Sequence, residues 1–425
     1  MSFMAFRQLL TDFGDQLHDE NNPLTAASAK CNNSLDELIT LAHSNLSTAR
    51  SADHLPWRRL YTDASILRAI ISVANLGDAD MRGAELVALS SVAHLDHALV
   101  VAGAAGDGRY DLIISIIALV QKQYLLSPHL PSPTLYRNQM TPSSKPSRLM
   151  YGARPISRLD DAPSLSRFKR ELINAPIVIS RFARDWPAVK DHPWSSLDYL
   201  RAVAGRGRVV PVEVGSDYRR DDWYQELMPW EDFLASLAQP DASKIVYLAQ
   251  HNLFFQFPSL RDDIVVPDYV YSAPEAPPDF KEYRPPSNPE QLIINAWLGP
   301  QGTTSPAHTD PFFNFYVQVV GRKTVWLAPP SVASHMYSYP PPSSSFDKSR
   351  NPALNSTEPS MSNTSRVDVF ATGTGDSDDF PAFTANAVPC AMHVTLEPGD
   401  ALAFPPGWWH AMRSEEMSFS VSMWY

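Results

Sequence analysis

The hydrophobic pattern of the first third of the chain predicts helices. Apolar residues recur at intervals of three and four, as in "TDASILRAIISVANLG", which begins at Thr62. We expect this helix to begin at a cap on Asp63 and to end at Gly77. Similar stretches continue to about residue 126. Residues 1–126 are therefore predicted to form an all-α N-terminal domain.

The remainder of the chain has a strand pattern. Short runs rich in β-branched and aromatic residues are separated by turn residues. These runs are "APIVISRF", "RVVPVEVG", "KIVYLAQ", "LIINAWLG", "NFYVQVVG", "KTVWLAPP", "ALAFPP" and "SFSVSMWY". Two helical stretches, "SLSRFKRELINA" and "MPWEDFLASLAQ", are inserted among them. The spacing predicts an all-β sandwich or barrel core within residues 151–425.

Two polar segments interrupt these patterns. Residues 127–150 are rich in proline and serine and are predicted to be a linker between the domains. Residues 338–386 are rich in Ser, Pro, Asn, Thr and Asp. We expect them to form a polar surface insertion, partly disordered, between two core strands.

Composition narrows the function classes. The 425 residues carry a net charge of −11 and no basic stripe, which argues against direct binding to nucleic acid. Only Cys31 and Cys390 are present, which favours reduced thiols in an intracellular compartment. Acidic residues follow the first methionine too early for a secretory signal. The longest apolar run, "LIISIIALV", is about half of a membrane span, so no membrane is expected.

Two motifs that are distant in sequence predict a metal site. "SPAHTDPFFNF" places His308 two residues before Asp310, and "EPGDALAFPPGWWHAM" supplies His410. Two histidines and one carboxylate can occupy one face of an octahedral metal and leave the other face open, as in non-haem Fe(II) oxygenases. The alternative is that these residues serve only turns or packing.

A lysine in the strand pattern predicts an anion. In "NFYVQVVGRKTVWL", two strands meet at a hairpin turn, and Lys323 begins the second strand with Val325 and Leu327 on its face. A lysine directed inward is costly unless it meets an anion. The distal carboxylate of 2-oxoglutarate would satisfy it. The alternative is an edge-strand lysine in water.

Longer stretches resemble a known family. "WLGPQGTTSPAHTDPFFNFYVQVVGRKTVWL", "PGDALAFPPGWWHAMRS" and "SFSVSMWY" resemble the Jumonji-C (JmjC) domain oxygenases. Upstream stretches, among them "VPVEVGSDY", "DDWYQELMPWEDFL" and "VYLAQHNLF", resemble one branch of it. The resemblance covers Arg154 to Tyr425. It implies an α+β chain whose C-terminal part is a double-stranded β-helix, a jelly-roll or cupin-like barrel with flanking helices.

The resemblance also implies the ligands of the site. Fe(II) would be held by His308, Asp310 and His410, with dioxygen as a further reactant. The residues implied to bind 2-oxoglutarate are Lys323, Tyr247, Ser305, Asn314 and Trp297.

In this branch the substrate is an arginine side chain of a protein or peptide. The resemblance places Glu213 and Trp223 at its guanidinium, with Tyr218 nearby and Trp424 in the pocket wall. A glutamate can pair bidentately with a guanidinium, and an indole can stack on its plane. Taken alone, Glu213 would equally suit a solvated strand position.

Three functions compete on these grounds. The first is an arginyl hydroxylase, and the second is a histone methyl-lysine demethylase that uses the same iron chemistry. JmjC demethylases usually carry glutamate where this chain has Asp310, and two cysteines cannot build a zinc finger, so hydroxylation is favoured. The third is a non-catalytic interaction module, which loss of a ligand would support. The resemblance implies the nucleus, the cytoplasm or both; the oligomeric state stays open.

Overall fold

The computed structural model describes residues 23–48, 54–76, 80–125, 153–215, 217, 219, 222–238, 244–340, 361–371 and 379–425. The chain divides into two compact units. The first consists of residues 1–136, 197–212 and 226–238, and the second contains the rest. The predicted linker, residues 127–150, lies outside the described residues. Two segments of the predicted C-terminal domain thus belong to the helical unit.

Four helices lead the first unit: α1 (Pro23–Thr48), α2 (His54–Ala74), α3 (Met81–Ala102) and α4 (Arg109–Tyr124). The predicted start of α2 is wrong. The helix begins earlier because Trp57 and Leu60 extend its apolar face towards the N-terminus. Asp63 therefore lies inside the helix, where it pairs with Arg109 at 2.6 Å. Gly77, the predicted end, lies outside the described residues.

Helix α3 is the one helix among the described residues that is long and apolar enough to cross a membrane. It packs against α2 and α4 within the first unit. Asp96 near its middle is fully buried and binds Arg208 through two hydrogen bonds of 2.7 and 2.8 Å. A core helix passes the same test of length and composition. The expected absence of a membrane stays a prediction.

The described strands form two sheets. The strands are β1 (Arg154–Pro155), β2 (Arg158–Leu159), β3 (Ile177–Ile179), β4 (Val209–Val214), β5 (Tyr224–Pro229), β6 (Val246–His251), β7 (Ile293–Gly299), β8 (Thr304–Thr309), β9 (Asn314–Val320), β10 (Lys323–Ala328), β11 (Met392–Leu396), β12 (Ala401–Phe404), β13 (Trp409–Ser414) and β14 (Ser418–Trp424). One sheet has the order β1-β11-β10-β13-β8. The other has the order β2-β3-β12-β9-β14-β7-β6-β4-β5, with β4 and β5 at its edge.

Short helices occur in both units. The second unit contains a turn at Leu165–Arg167 that continues as a π-helix at Phe168–Leu172. The first unit also contains α5 (Leu197–Ala204) and α6 (Trp230–Ala238), and the second also contains α7 (Leu253–Gln256) and α8 (Pro258–Arg261). The first turn and α6 lie where the sequence predicts its two inserted helices.

The two sheets enclose one apolar core. Alternate residues of each strand point inward, so that Val325 and Leu327 of β10 meet Tyr316 and Leu402 of the larger sheet. Two packed sheets with mostly antiparallel neighbours form the predicted jelly-roll. The α+β fold class is thereby confirmed.

The prediction of a surface insertion at residues 338–386 is wrong for its described parts. Val367 and Phe383 are fully buried against Trp326, which points to the outer face of the five-stranded sheet. Since β10 is buried on both faces, this outer face needs an apolar cover, and the segment supplies it. Residues 341–360 and 372–378 lie outside the described residues.

Candidate metal and co-substrate site

The three predicted metal ligands converge on adjacent strands. His308 on β8 lies directly opposite His410 on β13, and Asp310 follows the end of β8. The His410 Nε2 atom lies 3.4 Å from one carboxylate oxygen of Asp310, and the His308 Nε2 atom lies 4.0 Å from the other. Among the described residues, this is the one group of three or more possible metal ligands whose ligand atoms all lie within 4.8 Å of one another.

Backbone contacts fix both imidazoles for metal binding. The Nδ1 atom of His308 lies 2.7 Å from the Pro306 carbonyl oxygen, and that of His410 lies 3.0 Å from the Trp408 carbonyl oxygen. A carbonyl can only accept, so Nδ1 carries the proton and donates it. Each Nε2 lone pair is then left free to face Asp310, which is the arrangement that orients histidine ligands in metal sites.

Electrostatics keeps the site in its metal-binding protonation state. Burial, reinforced by repulsion from His410, lowers the pKa of His308 to about 4. Burial opposes ionisation of Asp310, but its interactions with His410 and His308 lower its pKa overall. A neutral imidazole and an ionised carboxylate at neutral pH are the forms that bind a metal.

A cavity opens beside these ligands. Its lining residues are Trp297, Ser305, His308, Asp310, Asn314, Tyr316, His410 and Met412. The predicted residues Trp297, Ser305 and Asn314 are thus in the same cavity as the three ligands. Sequence reasoning missed Tyr316 and Met412. Each lies two residues beyond a predicted site residue on its strand, a spacing that would have placed it on the same face.

Lys323 lies inside the barrel. It is 2% exposed, and its Nζ atom lies 5.7 Å from the centre of the Tyr247 ring and 5.8 Å from that of Tyr316. Strand β10 runs between β11 and β13, which excludes the alternative of an edge-strand lysine in water. Burial lowers the pKa of Lys323 to about 7. No carboxylate of the described residues forms an ion pair with it.

Tyr247 connects Lys323 to the predicted substrate residues. Its hydroxyl is hydrogen-bonded to Ser305, and burial raises its pKa well above the usual value. Glu213 on β4 lies directly opposite Tyr247 on β6, so both side chains share one face of the sheet. The Trp223 indole N–H donates to Glu213 at 3.3 Å. Burial raises the pKa of Glu213, although the hydrogen bonds from Trp223 and Gln225 oppose this.

The other two predicted substrate residues differ in what the structure describes. Trp424 on β14 pairs with Asn314 of β9 and stacks on Phe312 with ring centres 5.7 Å apart. It therefore borders the cavity at Asn314. Tyr218 lies outside the described residues.

Comparison with known proteins identifies the family. A family model for cupin-like domains matches residues 165–425. Jumonji C domain-containing protein 5 of Drosophila melanogaster is 38% identical over 271 residues, which are 62% of this chain and 58% of that protein. The chain belongs to the JmjC branch of the cupin-like family.

Two further JmjC relatives differ in the extent of the match. Lysine-specific demethylase 8 of Danio rerio is 31% identical over 419 residues, 97% of this chain and 90% of that protein. Lysine-specific demethylase JMJ30 of Arabidopsis thaliana is 38% identical over 266 residues, 62% of this chain and 53% of that protein. The match thus spans little more than half the length of the Drosophila and Arabidopsis proteins.

The JmjC family depends on Fe(II) and 2-oxoglutarate, and the polar groups of this cavity fit both. The ligand set offers two neutral nitrogens and a carboxylate, which suits Fe(II). The Ser414 hydroxyl, directly opposite Lys323, and the Trp424 indole N–H are buried without a hydrogen-bond partner among the described residues. Buried donors without partners are costly, and an anionic ligand would accept from them.

The pKa of Lys323 predicts a pH dependence for 2-oxoglutarate binding. A bound carboxylate favours the charged ammonium, which Lys323 holds below about pH 7 without a ligand. Above that pH a proton must be taken up on binding, so the Kd should rise by about tenfold per pH unit. Calorimetric titration with Mn(II) in place of iron, from pH 6 to 9, measures this. A flat profile would contradict it, and Lys323→Arg, charged throughout, should lose the dependence.

Proposed function

We propose that the chain is an Fe(II)- and 2-oxoglutarate-dependent dioxygenase that hydroxylates an arginine side chain of a protein. The observation that carries the proposal is Lys323, a buried cation without a carboxylate partner among the described residues. Its Nζ atom lies beside the Tyr316 ring, which lines the cavity of the metal-ligand set. A module used only for binding other proteins has no need of a buried lysine beside buried donors, because each costs stability.

The protein residues would divide the work between holding and orienting. His308, Asp310 and His410 would hold iron and leave its remaining positions open. Lys323 would pair with the distal carboxylate of 2-oxoglutarate, aided by the Tyr247 hydroxyl. With dioxygen, the bound metal and 2-oxoglutarate supply the oxidising power for C–H hydroxylation. The aromatic walls would exclude water from this chemistry.

Glu213 and Trp223 support arginine as the substrate. Burial makes the Glu213 carboxylate costly to ionise alone, so an incoming guanidinium would compensate for that cost. The Trp223 indole, held at Glu213 by its N–H, offers a face on which the planar cation can stack. Asp310 as the carboxylate ligand fits the hydroxylase pattern.

Methyl-lysine demethylation is the second candidate. It is favoured by the names of the Danio rerio and Arabidopsis thaliana relatives, both lysine-specific demethylases. Glu213 could also pair with an ammonium, but a carboxylate fork matches a guanidinium better.

The proposal includes a protein target in the nucleus or cytoplasm, without direct contact to nucleic acid.

The deciding experiment measures succinate formation and product mass with arginine and methyl-lysine peptides in parallel. Turnover stimulated by the arginine peptide, with a mass gain of one oxygen, would support the proposal. Loss of a methyl group from the lysine peptide alone would favour demethylation. Metal binding without 2-oxoglutarate turnover on either peptide would favour the interaction module.

Removal of the Glu213 charge tests substrate recognition separately. Glu213→Gln is expected to raise the KM for the arginine peptide by about tenfold or more, because the amide cannot form an ion pair. Succinate formation without peptide should be unchanged. The matched control is Glu171→Gln, an exposed glutamate paired with Arg167, which should leave the KM as it is. Equal KM values for Glu213→Gln and wild type would contradict the role.

A further inference from the structure

The connection between β4 and β5 carries the two proposed substrate residues at its ends. Glu213 lies near the end of β4, and Trp223 directly precedes β5. Gly215 makes their close approach feasible, since its φ is +123° and an added Cβ would lie 3.1 Å from the Trp223 Cα. We name the described residues of this connection, 213–215, 217, 219, 222 and 223, the receptor loop. Its conformation therefore sets the distance between the carboxylate and the indole.

A shielded ion pair joins two residues of the receptor loop. The Arg219 Nε atom donates to both carboxylate oxygens of Asp217, at 3.0 and 2.8 Å. The Arg219 backbone N–H also donates to Asp217, at 2.8 Å. The side chains are only 13% and 10% exposed, in contrast to the exposed Arg184–Asp185 pair of the same unit. Such shielding keeps the pair effective in water and salt.

The same guanidinium reaches a second segment. Its Nη1 atom lies 3.4 Å from the Ser365 carbonyl oxygen and 3.3 Å from that of Val367. A planar fork can serve a carboxylate on one side and carbonyl oxygens on the other, which a lysine cannot reproduce. Arg219 therefore ties the receptor loop to residues 361–371.

That segment is itself bound to the strand of a metal ligand. The Ser365 N–H donates to the Ala307 carbonyl at 2.7 Å, and the Thr309 N–H donates to the Asn363 carbonyl at 3.1 Å. Between these contacts, Thr364 lies opposite His308. One guanidinium thus connects the proposed substrate receptor to the border of β8, where the metal ligands begin.

We propose that Asp217 and Arg219 are positioning residues that fix Glu213 and Trp223 relative to the metal ligands, and thereby determine the affinity for the arginine side chain. The inference rests on the proposed function. Neither residue needs to touch substrate. Their effect is geometric, because a receptor that is free to shift must be ordered each time the guanidinium binds, and this ordering lowers the affinity.

The test is Arg219→Met, which keeps the linear stem of the side chain and removes its charged fork. The KM for the arginine peptide should rise about tenfold. The KM for 2-oxoglutarate and succinate formation without peptide should stay unchanged. Amide hydrogen exchange should speed up in peptides that cover 213–225 and 361–371, while that of β9 and β14 should not. Arg219→Lys should restore little, because it lacks the fork.

Matched controls separate positioning from general stability. Arg184→Met removes the exposed arginine of a local Arg–Asp pair and should change neither KM nor exchange. The inference would be overturned if Arg219→Met left both the KM for the arginine peptide and the amide exchange unchanged. It would also be overturned if succinate formation without peptide fell as much as the peptide-dependent reaction. If the wild type does not hydroxylate arginine peptides, the proposed function fails. The hydrogen-exchange comparison then tests by itself whether Arg219 anchors the receptor loop. If exchange in Arg219→Met is no faster than in wild type, the anchoring role is contradicted as well.

Discussion

Replacing His410 by alanine is expected to abolish metal binding and to reduce peptide-stimulated succinate formation at least ~1000-fold. The side chain is 3% exposed and lies within 3.4 Å of Asp310. Among the described residues, no other histidine belongs to the group apart from His308, so none can replace the lost nitrogen. Loss of His410 also removes an interaction that helps to keep the Asp310 pKa low. Anaerobic titration with Fe(II) or Mn(II), followed by the succinate assay, measures both effects.

His393→Ala is the matched control. The Nδ1 atom of His393 lies 2.8 Å from the Ala153 carbonyl, a contact of the same kind as those of the ligands, but on β11 outside the metal-ligand group. It should bind metal as the wild type does. Retained turnover in His410→Ala, at a thermal stability equal to that of wild type, would show that His308 and Asp310 suffice and that the three residues do not act as one site.

The metal ligands could be predicted from sequence because their chemistry is local. A histidine two residues before an aspartate, and a second histidine behind a rigid Pro-Pro-Gly turn, restrict the ligand set before any fold is known. The position of Lys323 could be inferred for a related reason. Strand alternation puts it on the face of Val325 and Leu327, and both are fully buried. The alternation along the strand therefore predicted that the Lys323 side chain is buried inside the barrel.

Long-range pairing could not be predicted in the same way. Composition assigned residues 361–371 to a polar surface insertion, yet Ser365 is fully buried and Val367 covers the outer face of β10. The sequence pattern did not show that the outer face of the five-stranded sheet needs an apolar segment packed against it. The continuous apolar run after Lys323 was the available signal, since a strand without alternation is buried on both sides. The Arg219 contacts depend on that segment and were invisible for the same reason.

Replacing Lys323 by methionine is expected to separate function from stability. The affinity for 2-oxoglutarate should fall about 100-fold or more, because the distal carboxylate would lose its charged partner in a dry pocket. Metal binding should persist, since no metal ligand changes. Thermal stability should stay equal or rise, because an apolar side chain of similar length replaces a buried amine whose pKa is held near 7 by burial.

Lys190→Met provides the control, because it removes an exposed lysine whose nearest carboxylate, Asp185, lies at 3.8 Å. Its affinity for 2-oxoglutarate and its stability should match those of wild type. If Lys323→Met were less stable and bound 2-oxoglutarate normally, the lysine would serve packing alone. A variant that is more stable but inactive has the opposite meaning. It would show that the fold keeps a costly buried cation because an anionic co-substrate compensates for it.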